Sequence, residues 1–238
     1  MTWFASTSQG AKMERIRNDW LMKGILLFIF AFAIVFTWRL ESRAEQKPSL
    51  VIPPFFVERI ENPSRGAIIC PLCKGIYRYG KVFPGSQNIL TRLLYGRIEG
   101  FGRFKVLPLE KVEEVLSPSM QEQFEERPIP STIQIGKGLN VDFILVGYLF
   151  CFEERIGSSF GAEKSASVAF DLHLYRLRDE KMVWIAKFDE TQRPLSENLF
   201  KIGSFFRRKA RWLTAEELAS VGLDEILKRM PGPKELEE

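Results

Sequence analysis

The sequence contains few of the residues on which catalytic sites and disulfide-stabilised folds depend. Its 238 residues include one histidine, His173, and three cysteines. Three cysteines are too few for a disulfide framework, and every Ser–His or Cys–His catalytic arrangement would have to use that one histidine. Gly75, Gly80 and Gly85 also lack the Lys-Ser or Lys-Thr that completes a phosphate-binding loop. We therefore predict that the protein is not an enzyme and requires no cofactor.

Outside the N-terminal region the sequence has almost no net positive charge. The formal net charge is +4, and residues 1–44 contain six Lys or Arg against three Asp or Glu, which leaves about +1 for the remainder of the chain. A nucleic-acid-binding domain usually displays a strongly basic face. We therefore predict that nucleic acid is not a partner.

The N-terminal region predicts export from the cytoplasm. Residues 24–38 (GILLFIFAFAIVFTW) carry no charge but are fewer than the roughly 20 residues of a membrane-spanning helix. If translation starts at Met22, Lys23 supplies a short positive region and Ser42-Arg43-Ala44 a small-x-small cleavage site. We predict either a cleaved signal peptide or an uncleaved anchor. The expected location is the periplasmic side of a bacterial cell envelope, anchored to the inner membrane or released after cleavage near Ala44.

Composition divides the chain into four parts. Residues 1–44 form the predicted signal peptide or anchor. Residues 45–64 contain four prolines and are predicted to be an extended tether, because proline fixes φ and lacks a donor N–H. Residues 65–230 are predicted to form a single α/β domain with helical cover at its C-terminal end, and residues 231–238 a disordered tail.

The predicted sheet is organised around residues 141–188. Three runs there are rich in Val, Ile, Phe, Tyr and Trp and are separated by polar turns, which is typical of consecutive antiparallel strands. Residues 141–152 are apolar at both alternating positions, as in a strand covered on both faces. Residues 167–176 alternate between apolar and more polar side chains, which predicts a half-buried strand.

Upstream of these strands the pattern alternates between short strands and helices. Residues 66–70 and 104–107 are predicted strands, and a helix with Ser86 as its N-cap lies between them. A short helix then leads into the central strand, and a capping box at Thr214 and Glu217 starts a helix after the meander. We predict an α/β (α+β) fold, in which a mixed sheet has a parallel βαβ half and a C-terminal antiparallel meander.

Residues 66–190 resemble a group of bacterial envelope proteins. The segments ILTRLLYGRIEGFGRFKVLPLEKVEEVL, GKGLNVDFILVGYLFCFEE and YRLRDEKMVW carry the resemblance. The group includes the curli-secretion lipoprotein CsgG, the penicillin-binding-protein activator LpoB and the amino-terminal domain of TolB. The resemblance implies a non-enzymatic envelope protein whose α/β domain binds other proteins. The sequence lacks the lipidation cysteine of the lipoprotein members, and no long amphipathic hairpin predicts a pore.

The sharpest local motif is Cys70-Pro71-Leu72-Cys73, which is followed by Lys74 and Gly75. A C-x-x-C turn can point two thiolates at one metal, but a structural site needs four ligands and only Cys151 and His173 are left to supply them. The same pair would also suit a redox couple in an oxidising compartment. We favour a third interpretation, in which the two cysteines lie at the end of a strand and in a turn and have no metal-binding or redox role. No metal site is therefore predicted.

His173 lies on a predicted strand whose apolar side chains occupy the opposite face. Asp171 and Tyr175 share its face. Because polar residues on one side of a strand typically face solvent, we expect all three on a polar, half-exposed sheet face.

Two polar stretches after the meander form the predicted interaction surface. Gln192 begins a polar loop, and a basic-aromatic cluster follows it. Such a cluster suits an acidic partner surface or anionic lipid head groups, and functional contacts concentrate on loops beside a rigid scaffold. The predicted partner-binding residues are Gln192, Arg193, Asn198, Arg207, Arg208, Arg211 and Trp212.

The predicted function is that of a non-enzymatic exported envelope protein that binds other proteins as an assembly or regulatory factor. Its expected partners are envelope proteins and, through the N-terminal apolar segment, the membrane; formation of a homo-oligomer is left open. The alternative is a thiol-redox or metal-binding protein that uses Cys70 and Cys73.

Overall fold

The computed structural model describes residues 47–57, 66–116, 126–159, 162–192 and 211–237. These residues belong to the second of two units into which the chain divides, Lys47–Glu238. The predicted signal peptide or anchor, residues 1–44, lies outside the described residues. None of the described helices is long and apolar enough to cross a membrane.

The described strands are short in the first half of the chain, and three long strands lie in the second half. The strands are β1 (Ser49–Val51), β2 (Phe56–Val57), β3 (Ala67–Ile69), β4 (Ile76–Arg78), β5 (Lys105–Val106), β6 (Phe143–Glu153), β7 (Ile156–Gly157), β8 (Ala162–Lys164), β9 (Ser167–Arg176) and β10 (Lys181–Thr191). The helices are α1 (Ser86–Phe101), α2 (Leu109–Val115), α3 (Pro128–Gly138), α4 (Ala215–Leu227) and α5 (Pro233–Glu237).

Six of the strands form one mixed sheet. Five lie in the order β10-β9-β6-β1-β5, and β2 also pairs with β6. β1 runs parallel to β5 and β6, and β2 runs parallel to β6. β6, β9 and β10 are antiparallel neighbours. The predicted α/β fold, with a parallel part and an antiparallel meander in one sheet, is therefore confirmed.

Both faces of the sheet are covered. On one face, Leu90 of α1 and Leu223 of α4 are fully buried in a cluster with Phe170 of β9. On the other face, Tyr77 of the β3–β4 hairpin and Ile135 of α3 are buried in a second cluster that includes side chains of β6. Burial of an apolar side chain of this size contributes roughly 1.5–3 kcal/mol to stability. The hairpin is therefore part of the core, and its position determines what lies beneath it.

Strand β9 is buried on both faces, which corrects the prediction of a half-buried strand. All ten of its residues are buried. The more polar residues of the alternating pattern face the β3–β4 hairpin instead of solvent. The sequence pattern predicted the strand, but it did not predict that the hairpin covers the second face of the strand.

Residues 47–57 are part of the sheet, where the sequence predicted an extended tether. β1 lies between β5 and β6, and Leu50 and Val51 are fully buried. The carboxylate of Asp142 accepts hydrogen bonds from the Ser49 backbone N–H at 2.7 Å and from the Ser49 hydroxyl at 2.6 Å. The prolines lie outside this three-residue strand, so they remove no N–H group from it.

Three further elements differ from their predictions. β3 covers most of the predicted strand at 66–70, but it pairs with β4 in a separate two-stranded sheet. The N-cap of α1 is Gly85, with φ of 86°, and Ser86 is a buried helical residue. Helix α5 occupies part of the predicted disordered tail, because Leu236 is buried and its carbonyl accepts a hydrogen bond from the Arg176 guanidinium.

Candidate metal centre

The C-x-x-C motif forms the tight turn between β3 and β4. The Cys70 backbone N–H donates to the Gly75 carbonyl at 2.8 Å, and the Lys74 N–H donates to the Cys70 carbonyl at 3.0 Å. Lys74 has φ of 61°, a left-handed conformation that lets the chain reverse within so few residues. The turn places the sulfurs of Cys70 and Cys73 on the same side of the hairpin, facing the sheet.

Contacts of β4, the strand that follows the turn, hold the hairpin against the sheet. The ring of Tyr77 stacks on Phe150 of β6, with centroids 4.3 Å apart. The ammonium of Lys187 lies 4.2 Å from the centroid of the Tyr77 ring, within the range of a cation–π interaction. The Arg78 backbone N–H donates to the Asp189 carboxylate at 2.9 Å. These contacts join β4 to β6 and β10 and leave the turn above β9.

Two residues of β9 meet the turn. Asp171 and His173 are two positions apart on one strand, so they point to the same face. Nε2 of His173 lies 3.7 Å from Sγ of Cys70. Oδ2 of Asp171 lies 3.7 Å from Sγ of Cys73 and 3.5 Å from Nε2 of His173. All four donor atoms lie within 4.8 Å of one another.

These separations fit a tetrahedral metal site. Zinc bonds of about 2.3 Å to sulfur and about 2.0–2.2 Å to nitrogen and oxygen place the ligand atoms of a tetrahedron roughly 3.4–3.8 Å apart. The Cys70–His173, Cys73–Asp171 and His173–Asp171 distances of 3.7, 3.7 and 3.5 Å all fall within this range. The other three separations are at most 4.8 Å, so the two sulfurs, one nitrogen and one oxygen form a candidate four-ligand set.

The cluster is shielded from solvent. The side chains of Asp171 and His173 have no exposed surface, Cys70 is also fully buried, and Cys73 is partly exposed. Oδ1 of Asp171 and Nδ1 of His173 are buried without a hydrogen-bond partner among the described residues. Buried polar atoms without a partner cost about 1–3 kcal/mol each. A cation bound to Oδ2 and Nε2 would leave these two atoms unpaired, because they are the other polar atoms of the same side chains.

Burial shifts the pKa values of the cluster. It lowers the pKa of His173 to about 4, so the imidazole is neutral at neutral pH, which is the form that binds metals. It raises the pKa of Asp171 to about 6, although hydrogen bonds from Cys70, Tyr77 and Cys73 oppose the shift. Burial and the Asp171 charge also raise the pKa of the Cys70 thiol. A divalent cation would favour the thiolate and carboxylate forms instead.

Two neighbouring groups of the turn and β4 contact Sγ of Cys73. The Gly75 N–H donates to Sγ of Cys73 at 3.4 Å, and the Tyr77 hydroxyl lies 3.9 Å from the same sulfur. A Cβ atom at Gly75 would lie 3.0 Å from the Tyr77 ring and 3.2 Å from Sγ of Cys73. The glycine therefore permits this close approach. Outer-shell donors of this kind orient metal ligands and tune their basicity.

The arrangement corrects the interpretation of the polar residues on β9. Asp171, His173 and Tyr175 were expected on a half-exposed face, but all three are buried beneath the hairpin. The four-ligand set considered from the sequence included Cys151; in the structure Cys151 donates to the Ser167 carbonyl at 3.5 Å, and Asp171 completes the cluster instead. Asp171 and His173 are two positions apart on a strand that lies between two apolar strands in the sequence. That spacing was the signal that could have indicated Asp171.

The predicted partner-binding residues are only partly described. Gln192 is buried, and its side-chain amide joins the Arg211 carbonyl to the Leu213 N–H, at 2.8 and 2.7 Å. Arg211 pairs with Glu217, and the Trp212 backbone N–H donates to the Ser159 carbonyl. Gln192 thus fixes the start of α4 to the end of β10 and does not face solvent. The other predicted residues lie outside the described part of the chain: Arg193, Asn198, Arg207 and Arg208.

No family model and no curated protein matches the sequence. Among solved structures, the chain is similar to the hypothetical protein CT253 from Chlamydia trachomatis, with 11% identity, a TM-score of 0.45, and coverage of 77% of this chain and 95% of that one. It is similar to the PelC dodecamer from Paraburkholderia phytofirmans, with 10% identity, a TM-score of 0.40, and coverage of 76% and 85%. It is also similar to the LpoB C-terminal domain from Salmonella enterica, with 12% identity, a TM-score of 0.37, and coverage of 66% and 92%.

The LpoB domain belongs to the group that the sequence resembles, whereas the resemblance to CsgG and to TolB stays a prediction. Identities and TM-scores this low transfer no function to this chain. The metal centre is therefore interpreted from its own residues.

Proposed function

We propose that the α/β domain binds one zinc ion through Cys70, Cys73, Asp171 and His173. The observation that carries the proposal is the set of three donor-atom separations, 3.5–3.7 Å, which match a tetrahedral shell. The Nε2–Oδ2 separation of 3.5 Å is longer than hydrogen bonds of about 2.7–3.2 Å. Two ligands of one metal account for that separation better than a direct pair does.

The donor set favours zinc over other biological cations. Two thiolates with one imidazole suit Zn²⁺, whereas Mg²⁺ and Ca²⁺ prefer oxygen ligands. Four protein ligands fill a tetrahedral shell and leave no position for a substrate, which is characteristic of structural sites. The proposed role is therefore to hold the fold together.

Zinc at this point would join two distant parts of the chain. Cys70 and His173 are 103 positions apart in the sequence. The bond would fasten the β3–β4 hairpin over the centre of β9, in addition to the Tyr77–Phe150 stack. In metal-dependent domains the binding free energy contributes directly to folding. Loss of the ion should loosen the hairpin before it unfolds the sheet.

The test is the zinc content of the purified full chain and of two cysteine variants. Cys73→Ser removes a proposed ligand, and Cys151→Ala is the matched control because Cys151 is a buried cysteine outside the cluster. Elemental analysis under reducing conditions should find about one zinc per chain in the wild type and in Cys151→Ala, and much less in Cys73→Ser. Equal zinc content in the two variants would contradict the proposal.

We further propose that this domain belongs to an exported envelope protein that binds other proteins as an assembly or regulatory factor. The predicted N-terminal signal or anchor and the resemblance to the CsgG, LpoB and TolB group support it. One structural observation favours a binding role: β10 is eleven residues long and pairs, among the described strands, only with β9. A terminal strand of this length is a template for a strand from a partner or from a second copy.

Extraction of the native protein from membranes in mild detergent tests this second proposal. The mass of the complex and its components should show a defined assembly. Ile185 lies on β10 and is 49% exposed, so Ile185→Arg should weaken that assembly. Ile156→Arg, at an exposed position on β7, is the control and should leave it intact. A lone monomer in the native extract would contradict a binding role of this kind.

A further inference from the structure

We propose that Cys70 and Cys73 are also a disulfide-forming pair, and that this disulfide and the bound zinc exclude each other. The inference rests on the proposed zinc site and adds its regulation: oxidation by a disulfide compound releases the metal and frees the hairpin. The geometry of the turn, the unequal exposure of the two cysteine residues and the position of the third cysteine carry it.

The turn allows the two sulfurs to meet. They are separated by two residues, and their Sγ atoms lie within 4.8 Å of each other. A disulfide requires about 2.05 Å between the sulfurs, so the side chains must turn toward each other. Either sulfur that forms this bond ceases to be a thiolate ligand. Zinc and the disulfide therefore need the same atoms in incompatible states.

Cys73 is the residue that an external disulfide would reach first. It is partly exposed, whereas Cys70 is fully buried. Sγ of Cys73 also accepts the Gly75 N–H at 3.4 Å, a contact next to the start of β4 and not in the core. Cys70 lies behind it in the turn and is placed as the resolving thiol.

The exchange is balanced in atoms and electrons. The Cys73 thiolate attacks one sulfur of an external disulfide, and the S–S bond breaks to release one external thiolate. The Cys70 thiolate then attacks Sγ of Cys73, forms the internal disulfide and releases the second external thiolate. The two protein sulfurs are oxidised, the external disulfide is reduced, and Zn²⁺ leaves because only Asp171 and His173 are left to bind it.

The hairpin should loosen locally and not detach completely. Zinc is the proposed link between the turn and β9. The stack of Tyr77 on Phe150 and the Arg78–Asp189 contact do not involve the metal and hold the other end of the hairpin. Amide hydrogen exchange should therefore increase around residues 70–75 and much less in β6, which lies at the centre of the sheet.

Cys151 provides an internal reference for the thiol count. It is buried, and its Sγ donates to the Ser167 carbonyl at 3.5 Å. Burial raises the pKa of its thiol, and it lies outside the cluster in which zinc would hold Cys70 as a thiolate. It should stay reduced while the other two cysteines are oxidised. One zinc should be released for every two thiols lost.

The experiment treats the zinc-loaded full chain with oxidised glutathione. A chromogenic chelator follows zinc release, free thiols are counted after denaturation, and peptide mass spectrometry locates the disulfide. We expect release of one zinc per two thiols lost, a Cys70–Cys73 disulfide, a reduced Cys151 and recovery of zinc binding after reduction. Cys151→Ala should behave like the wild type.

Two outcomes would overturn the inference in distinguishable ways. A zinc-loaded chain that loses both thiols but keeps its zinc would refute the exclusion alone, with the zinc site intact. A reduced chain that takes up no zinc at all would refute the proposed zinc site and this inference together.

Discussion

Nε2 of His173 and Oδ2 of Asp171 face each other at 3.5 Å, and neither side chain has any exposed surface. The distance is too long for a hydrogen bond and suits two ligands of one tetrahedral ion. The same two residues have opposite pKa shifts with one cause, burial. Replacement of either residue therefore has separate and measurable consequences for metal binding and for stability.

Replacement of His173 tests whether the histidine is a ligand or only a core residue. His173→Leu keeps the position apolar and removes the donor, so zinc affinity should fall by more than about 100-fold, beyond the 10–100-fold typical of outer-shell residues. His173→Cys supplies another zinc ligand and should retain much of the affinity. Competition titration with a zinc chelator measures both variants. Equal affinities in the two would show that His173 does not bind the metal.

Two opposing pH effects are expected in the metal-free protein. The pKa of Asp171 is raised to about 6, so between about pH 4 and pH 6 the unfolded state loses its proton first and stability falls as pH rises. The pKa of His173 is lowered to about 4, so between about pH 4 and pH 6.5 the unfolded state holds the extra proton and stability rises with pH. In the wild type these two contributions nearly cancel.

Asp171→Asn should expose the contribution of the histidine. With the carboxyl group removed, the free energy of unfolding of the variant should rise relative to wild type by up to about 1.4 kcal/mol per pH unit between about pH 4 and pH 6. Denaturant titrations with a chelator present, at several pH values, measure the difference. If the two proteins have the same pH dependence, Asp171 does not titrate in the folded state as described.

Gly75 should be required for the metal site and not for the fold as a whole. In Gly75→Ala the added methyl group approaches the Tyr77 ring at 3.0 Å and Sγ of Cys73 at 3.2 Å, so zinc affinity should fall by roughly 10–100-fold. Gly96→Ala is the control, because its methyl group meets nothing within 4 Å inside α1. That control should keep its zinc and gain about 0.5–1 kcal/mol of stability. Unchanged zinc affinity in Gly75→Ala would show that the turn adapts.

Gly147 tests the packing of residues 47–57 on the sheet. A Cβ atom at this position would lie 2.3 Å from the ring of Phe55, which is buried next to β2. Gly147→Ala should therefore cost about 1–3 kcal/mol through overpacking. Gly138→Ala, with nothing within 4 Å, should change stability by less. Chemical denaturation compares the two; equal effects would indicate that residues 47–57 are a loosely attached tether after all.

The sequence was informative where hydrogen bonds and apolar periodicity are local. β6 is buried on both faces as its continuous apolar run predicted. The predicted capping box is also present: Glu217 N–H donates to the Thr214 hydroxyl at 3.1 Å, and Thr214 N–H donates to the Glu217 carboxylate at 3.0 Å. Such signals depend on neighbours along the chain, so they can be read from one sequence.

The metal centre depends on contacts that no local pattern contains. The C-x-x-C motif was visible, but its partners lie about a hundred residues later on a strand whose polar residues resembled a solvent-facing side. Those residues are buried only because the hairpin, held by the stack of Tyr77 on Phe150, lies across the sheet above them. β1 could not be predicted for the same reason. Its three residues form a strand because β5 and β6 lie on either side of them in the sheet.

X-ray absorption spectroscopy of the zinc-loaded, reduced full chain tests the zinc site most directly. The proposed ligands, Cys70, Cys73, Asp171 and His173, predict two sulfur neighbours at about 2.3 Å and two lighter neighbours at about 2.0–2.2 Å. A first shell of nitrogen and oxygen alone, or a chain that holds no zinc after reduction, would contradict the site.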